Sequence, residues 1–174
     1  MFTLLEFDDV TSTSSLLKEH YASFPHFTVI RADYQTGGRG QFDRVWESIK
    51  GENVLMSILL KEISIQQIDI VKQQTVDTLM AVLSSYGVNA YFKPPNDLYV
   101  GDKKICGILI ESQTSDRHLD YVVIGIGLNV NQSIFGHYQA TSIALELSKK
   151  VNLKQVFEKV LKTLEKRIGE SLHV

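Results

Sequence analysis

The chain has 174 residues, 44% of them apolar and 22% charged, which is typical of one globular domain with a sizeable core. Its 18 basic and 20 acidic residues give a net charge of −2, so the sequence offers no strong field for nucleic acid or anionic lipid. The single cysteine, Cys106, excludes an internal disulfide and favours a reducing compartment, so we expect a cytoplasmic location. The first residues lack the pattern of a leader, and the apolar runs at residues 54–60 and 121–127 are too short to cross a bilayer, so no membrane role is expected.

The first third of the chain predicts strands, a short helix and a long loop. The polar run at residues 8–15 offers N-cap oxygens to a helix that carries Leu16, Leu17 and Tyr21. Residues 35–51 contain four glycines and no sustained period, and such loops inside compact domains are usually lids or binding loops. Strands are predicted at residues 3–7, 27–34 and 54–60, the last of them buried on both faces.

The remainder predicts a long helix, a series of hairpins and two further helices. An apolar stripe predicts a helix over residues 65–86, and Gly87 stands where its C-terminal cap belongs. Strands are predicted at residues 88–93, 98–100, 104–112 and 119–130, with turns at 94–97, 101–102 and 114–117. A short helix at residues 141–147 and a longer one beginning near Asn152 complete the chain. The fold class is therefore α+β: a mixed, mostly antiparallel sheet with helices packed on one face.

A glycine cluster at residues 37–40 lies in the long loop. Its glycines let backbone N–H groups approach an anion, and Arg39 adds a permanently charged, planar fork. The alternative is a surface loop that needs positive φ angles. The cluster is not a P-loop, because the glycine–lysine–serine/threonine ending is missing.

Two other segments carry polar or glycine signals. Residues 93–97, followed by Lys103 and Lys104, place lysines, an amide and a carboxylate around a tight hairpin that could hold a triphosphate and its magnesium, or be only a polar turn. Gly125 and Gly127 interrupt a strong strand, which marks close approach by a ligand or by another backbone, or else a bulge or tight packing.

In this order, the motifs resemble the catalytic domain of biotin protein ligases over residues 4–147. The family's Ser-Thr-Asn-like opening is matched by residues 12–14, its Gln-x-x-Gly-Arg-Gly loop by residues 35–40, and the Arg-x-Trp that ends the loop by residues 44–46. The Lys-Trp-Pro-Asn-Asp segment is matched by residues 93–97, the lysine before Gly-Ile-Leu by Lys104, and the Gly-Ile-Gly-Ile-Asn-Val-Asn segment by residues 125–131.

The resemblance implies a class II synthetase-like biotin/lipoate ligase core that uses ATP and Mg²⁺ to attach biotin to a lysine of a biotin carboxyl carrier protein. Lys104 and Arg39 become the catalytic cations and Asp97 the metal ligand, while Trp46 either flanks the adenine or packs in the core. The implied biotin pocket consists of Ser12, Thr13, Ser14, Gln35, Gly38, Arg39, Gly40, Gln41, Lys104 and Gly107. The implied ATP-binding residues are Arg39, Arg44, Trp46, Asn96, Asp97, Lys104 and Asn129.

Three departures from the family pattern change these expectations. Gln41 replaces the second arginine of the loop, and Pro94 replaces the usual tryptophan. We also expect residues 1–174 to form one catalytic domain with neither a helix-turn-helix domain nor a complete C-terminal barrel, so DNA binding is not expected. The sequence leaves open whether the chain forms a homodimer.

The implied chemistry needs cations rather than a nucleophilic side chain. A carboxylate that attacks an α-phosphate is one anion approaching another, so fixed positive charge lowers the barrier. No Ser–His–Asp or Cys–His constellation is recognisable. The rivals are a lipoate or octanoate ligase or transferase, in which Cys106 would be the only candidate thiolate, and a non-catalytic biotin-binding module.

Overall fold

The computed structural model describes residues 1–42, 44–115 and 118–172, apart from the side chain of His118. Its elements are β1 (Thr3–Val10), α1 (Thr13–Glu19), β2 (Thr28–Gln35), β3 (Asn53–Leu60), α2 (Ile65–Ser85), β4 (Tyr91–Lys93), β5 (Asp97–Val100), β6 (Lys103–Ser115), β7 (His118–Asn129), α3 (Ile143–Leu147) and α4 (Leu153–Leu172). The strands form one sheet in the order β1-β2-β3-β7-β6-β5-β4. Among the strands that the structure describes, β1 and β2 alone pair in parallel, which confirms the predicted mixed, mostly antiparallel sheet.

Strand β3 is the buried centre of the sheet. All eight of its residues are buried, because β2 and β7 pair with its two edges while α4 and α1 contact it and its apolar side chains join the two core clusters. The prediction of a strand buried on both faces is confirmed.

The helices lie on both faces of the sheet. The long helices α2 and α4 pack against each other and share a core cluster with Val54, Met56 and Ile58, as expected for helices on one face. The short helix α1 instead packs on the opposite face, where Leu17 contacts a second cluster that includes Ile30 and Leu59. Because α1 covers only part of this second face, the remainder is free to form a site.

Several element boundaries differ from the predictions. β1 continues through its acidic residues to Val10, because Thr3 to Val10 pair along β2 while the polar side chains face solvent. Helix α1 ends at Glu19, so Tyr21 lies outside it. Strand β4 begins only at Tyr91, after a turn in which Gly87 has a φ of 80°.

Residues 116–117 of the predicted 114–117 turn lie outside the described residues. Among the helices that the structure describes, none is long and apolar enough to cross a membrane.

Candidate active site

A cavity of about 810 Å³ opens on the face of the sheet that carries α1. Its size is that of a small-molecule or cofactor site. Its walls come from the start of α1, the long loop after β2, the centre of β3, the β5–β6 hairpin and the end of β7. The sequence-predicted residues that line it are Ser12, Thr13, Ser14, Gln35, Arg39, Gly40, Gln41, Arg44, Trp46, Asn96, Asp97, Lys104, Gly107 and Asn129.

A network of hydroxyl and amide groups forms one buried wall. The backbone N–H of Thr13 donates to Gln35 Oε1 over 2.8 Å, and the Thr13 hydroxyl lies 3.1 Å from the same oxygen. The Ser57 hydroxyl lies 2.7 Å from that of Thr13 and 2.8 Å from that of Ser14. Ser12 caps α1 by accepting from the N–H of Ser15, which fixes the direction of this helix. The wall therefore presents preorganised donors and acceptors to a polar ligand.

Three glycines leave room on the adjoining part of the sheet for side chains from other elements. Gly107 on β6 pairs directly with Gly127 on β7. A Cβ atom at Gly127 would lie 2.5 Å from Trp46 Cε2, one at Gly107 would lie 2.8 Å from Trp46 Cζ3, and one at Gly125 would lie 2.7 Å from Ser14 Oγ. The three strand glycines thus allow the side chains of Trp46 and Ser14 to pack directly on the backbone of the sheet. We call Gly107, Gly125 and Gly127 the glycine strip.

Trp46 lies on the glycine strip rather than in the hydrophobic core. Its indole N–H is buried and has no hydrogen-bond partner among the described residues. The Nζ atom of Lys104 lies 5.4 Å from the centre of its ring. Trp46 therefore forms an aromatic wall beside a cation, which excludes the core alternative.

Lys104 reaches the cavity because β6 contains a bulge. Along β5, Leu98 pairs with Cys106 and Tyr99 with Lys104, so Ile105 has no partner and the register shifts. Residues three apart in a regular strand point to opposite faces, whereas here Lys104 Nζ comes within 3.3 Å of a Cβ built on Gly107. Lys104 Nζ forms a 2.7 Å ion pair with Asp97 Oδ1, and both side chains are 30% exposed.

The glycine-rich loop folds back on itself and carries Arg39 to the cavity. Gly40 N–H donates to the Arg44 carbonyl oxygen over 2.7 Å, and Trp46 N–H donates to the Gly38 carbonyl oxygen over 2.9 Å. Arg39 itself is 45% exposed. Gly38 lies outside the lining of the cavity, and its assignment to the biotin pocket stays a prediction. A Cβ there would lie 2.5 Å from the Trp46 carbonyl oxygen, so backbone crowding requires the glycine.

The two asparagines assigned to the nucleotide side lie in the cavity wall and have structural partners. Asn129 is 3% exposed, and its Nδ2 donates to the Thr141 carbonyl oxygen over 3.0 Å. The carbonyl oxygen of Asn96 accepts from Ile108 N–H over 2.8 Å. Asn129 thus joins the segment before α3 to β7, and Asn96 joins the turn before β5 to β6.

The protein supplies few ligands for a metal ion. Within residues 1–42, 44–115 and 118–172, no group of three or more His, Cys, Asp or Glu side chains could hold one. Asp97 and Asp102 are carboxylates of the cavity wall. One or two carboxylates suit Mg²⁺ that arrives with nucleotide phosphates and keeps several waters, so the donor set fits a nucleotide-borne ion.

Cys106 cannot act from this cavity. It is fully buried and belongs to the core cluster beneath α2 and α4. Burial raises the pKa of its thiol far above the usual range, although the nearby Lys104 acts in the opposite direction. The thiolate that an octanoyl transferase needs is therefore not available, which removes that form of the transferase alternative.

Sequence reasoning missed two parts of the site. Ser57 joins Thr13 and Ser14, and its only signal was a lone hydroxyl within an otherwise apolar run on β3. The outer rim contains Ile134, Tyr138 and Gln139, which precede the short helix α3. No motif indicated this rim, because a long-range contact brings it to the cavity. The Lys104 N–H donates to the Gln139 carbonyl oxygen over 3.0 Å and so holds the segment before α3 against the start of β6.

Comparison with known proteins agrees with this arrangement. Residues 4–129 match the model of the biotin/lipoate A/B protein ligase family. The chain belongs to this family.

The curated relatives include bifunctional ligase/repressor BirA of Bacillus subtilis, 33% identical over 94% of this chain and 53% of that protein. BirA of Escherichia coli is 31% identical over 70% of this chain and 38% of its own length. The biotin protein ligase of Aquifex aeolicus in complex with biotin and ATP superposes with a TM-score of 0.79 at 29% identity, over 98% of this chain and 72% of that one. The chain thus spans about half the length of the Bacillus relative.

The contact between Trp46 and the glycine strip generates one prediction. In Gly127→Ala, the new methyl group would overlap the indole ring, so Trp46 must move towards solvent. We expect a red shift of fluorescence from Trp46, the only tryptophan, and a loss of about 1–3 kcal/mol in the free energy of unfolding. Gly125→Ala is the matched control, because its methyl group meets Ser14 instead. An unshifted spectrum in Gly127→Ala would contradict this packing.

The burial of Cys106 generates another. Because the thiol is buried and its pKa is raised, thiol reagents should modify the native protein on the order of a hundredfold more slowly than the chain in denaturant. The rate is measured with a chromogenic disulfide at neutral pH, with glutathione as the exposed-thiol reference. Rapid labelling of the native protein would reopen a role for Cys106.

Proposed function

We propose that this chain is the catalytic part of an ATP-dependent biotin protein ligase, which forms biotinoyl-5′-AMP and transfers biotin to a lysine of a carrier protein. The observation that carries the proposal is the convergence of Arg39 and Lys104 on one cavity, beside a wall of fixed hydroxyls and the aromatic ring of Trp46 on the glycine strip. The family membership and the relatives named as biotin ligases support it.

The buried polar wall suits the ureido end of biotin. A urea has one carbonyl acceptor and two N–H donors, and the Thr13–Ser57–Ser14 hydroxyls with the Gln35 amide offer partners of both kinds. The acyl chain would then run past the glycine strip and the Trp46 ring that packs on it. This direction leads the biotin carboxylate towards the two cations.

The first half-reaction would take place between those cations. The biotin carboxylate attacks the α-phosphorus of ATP, a P–O bond forms, and the bond to the leaving pyrophosphate breaks. Arg39 and Lys104 neutralise the two anions as they approach each other, and Gly40 and Gln41 lie in the loop that closes over the adenylate. Arg44, Trp46, Asn96 and Asn129 are the proposed nucleotide contacts.

Lys104 must exchange partners for this step. In the free protein its ammonium is paired with Asp97, and an incoming anion would compete for it. Ion pairs of partly exposed groups contribute only about 0–1 kcal/mol, so the exchange costs little. Asp97 would then be available as the protein ligand of a Mg²⁺ ion, which neutralises the triphosphate and orients it when bound.

The second half-reaction needs a neutral lysine from the carrier. Its amine attacks the acyl carbon of the mixed anhydride, the amide bond forms, and AMP leaves. Asp97 is our candidate to accept the proton that the amine loses, because it is the carboxylate next to Lys104 in the cavity. A biotin carboxyl carrier protein is the proposed partner.

The experiment that tests the function is direct. The protein is incubated with biotin, Mg-ATP and a biotin carboxyl carrier domain, and the carrier is analysed by intact mass and by peptide mapping. We expect one biotinoyl group on a single lysine, only when ATP is present. Octanoate and lipoate replace biotin in parallel reactions: a product with either and none with biotin would favour a lipoate-type ligase, and no turnover with any acid would leave a binding module.

The exchange at Lys104 gives a prediction on rate. Lys104→Ala should lower the rate of adenylate formation by orders of magnitude while biotin affinity changes by less than about tenfold, since the charge acts mainly on the developing transition state. Pyrophosphate release and biotin titration measure the two quantities. The matched control is Lys103→Ala, which removes a neighbouring lysine outside the cavity lining. Equal losses of affinity and rate would assign Lys104 to ground-state binding.

Gln41 gives a prediction on retention of the intermediate. It lines the cavity, and as a neutral amide it lacks the charge-assisted hydrogen bond, worth about 1.5–3 kcal/mol, that an arginine would offer the adenylate. Gln41→Arg should therefore slow release of biotinoyl-adenylate by about ten- to a hundredfold.

Release is followed by chasing preformed, labelled adenylate with unlabelled ligand. Phe42→Arg adds the same charge at the next position, which is 85% exposed and outside the cavity lining, so it controls for the general field. If Gln41→Arg and wild type release the adenylate at the same rate, position 41 does not contact the ligand.

A further inference from the structure

Glu111 on β6 is a partly buried carboxylate that the proposed chemistry does not use. It follows Leu109, the last residue of β6 to line the cavity, by two positions and so points to the same face of the sheet. Its side chain is 22% exposed. Its Oε2 atom is buried and has no hydrogen-bond partner among the described residues.

Two cations from different elements meet at the other oxygen of Glu111. Lys18 Nζ, near the end of α1, lies 2.7 Å from Oε1, and Nη2 of Arg39 lies 3.5 Å from the same atom. Lys18 is 19% exposed, whereas Arg39 is 45% exposed and also lines the cavity. Glu111 thus joins α1, β6 and the glycine-rich loop at the edge of the site.

The two distances assign different roles to the cations. Lys18 is the principal partner of Glu111, because its contact is short and both groups are largely withdrawn from solvent. Arg39 is held only at the edge of the ion pair, by one nitrogen of a five-donor fork. One negative charge faces two positive ones, so the cluster keeps one net positive charge, and that charge lies on the arginine nearest the cavity.

We propose that Glu111 is the positioning residue of Arg39, and that Lys18 neutralises Glu111 so that the charge of Arg39 stays available to an anionic ligand. The carboxylate fixes where the guanidinium lies. The ammonium prevents the carboxylate from capturing it completely. The anionic ligand is the adenylate, so the role of Arg39 in ligand binding rests on the proposed function.

The proposal predicts opposite effects for two variants of one cluster. In Glu111→Gln the guanidinium loses its anchor and becomes more mobile. In Lys18→Met the carboxylate loses its closer partner and binds Arg39 more tightly. A cluster that only stabilised the fold would loosen in both variants.

Limited proteolysis with trypsin measures this without any ligand. Trypsin must take the arginine side chain into its own pocket, so a guanidinium held by Glu111 protects the bond after Arg39. Cleavage after Arg44, in the same loop, is the internal reference. Relative to it, we expect cleavage after Arg39 to increase by about three- to tenfold in Glu111→Gln and to decrease in Lys18→Met, and the double variant to resemble Glu111→Gln.

Retention of labelled biotinoyl-adenylate is the second readout. Both single variants should release it about three- to tenfold faster than wild type, one because Arg39 is not positioned and the other because its charge is occupied. Since Lys18 acts only through Glu111, the double variant should release it no faster than Glu111→Gln alone. Lys18→Arg should retain the adenylate as well as wild type does, because arginine keeps the positive charge that methionine lacks.

Several outcomes decide the matter. Wild-type values for Glu111→Gln in both readouts, or increased cleavage in Lys18→Met, would overturn the inference. Glu158→Gln, which removes a carboxylate near Lys154 on α4, is the control and should change neither readout. If Glu111→Gln does not fold, Lys18→Met still tests the proposal, because relative cleavage after Arg39 must decrease in that variant. If wild type forms no adenylate, the proposed function fails, while the tryptic readout continues to test the role of Glu111.

Discussion

Gly127 lies opposite Leu55 on β3 and opposite Gly107 on β6, and the other parts of the site depend on this register of three strands. Because side chains alternate along a strand, a slip of β6 by one residue would turn its glycine and its carboxylate towards the core and bring Cys106 to the cavity. The register is secured from the other face. There, Met56, Ile126 and their neighbours pack beneath α2 and α4, so the same strand pairing places the apolar side chains in the core and the glycine strip at the cavity.

The electrostatics of the free protein follow from a cavity that gathers cations before any anion is bound. Lys104 is paired with Asp97, and Arg39 lies near a carboxylate that Lys18 largely neutralises. Breaking the Lys104–Asp97 pair or the Arg39–Glu111 contact costs little free energy, because Lys104, Asp97 and Arg39 are all partly exposed to water. A ligand that carries a carboxylate and phosphates can therefore bind Arg39 while Glu111 keeps Lys18 as its partner.

The sequence was sufficient where a local signal and the tertiary environment agree. The uninterrupted apolar run of β3 and the period of α2 predicted their elements, and all the site residues assigned from the sequence except Gly38 line the cavity. The sequence was insufficient where strand pairing or tertiary packing determines the position of an element. β1 extends through Asp8 and Asp9 only because β2 holds its backbone, and α1 lies on the second face because Leu17 fits the cluster there. Gly38 shows the same limit, since a glycine is needed there because of the nearby carbonyl oxygen of Trp46, eight positions further along the chain.

The bulge in β6 is the feature that no sequence pattern could have indicated, and it separates two chemistries on one strand. In a regular strand Lys104 would share a face with Cys106, so a cation suited to adenylate chemistry and a thiol suited to acyl transfer would point the same way. Ile105 and Cys106 are instead both buried in the core beside the bulge, which turns Lys104 to the face of Gly107. The lysine thereby gains the partly solvated position in which it can exchange Asp97 for a ligand. The thiol is left in an environment that raises its pKa and keeps it protonated. One extra residue in a strand thus places the lysine in the cavity wall and leaves the thiol in the core.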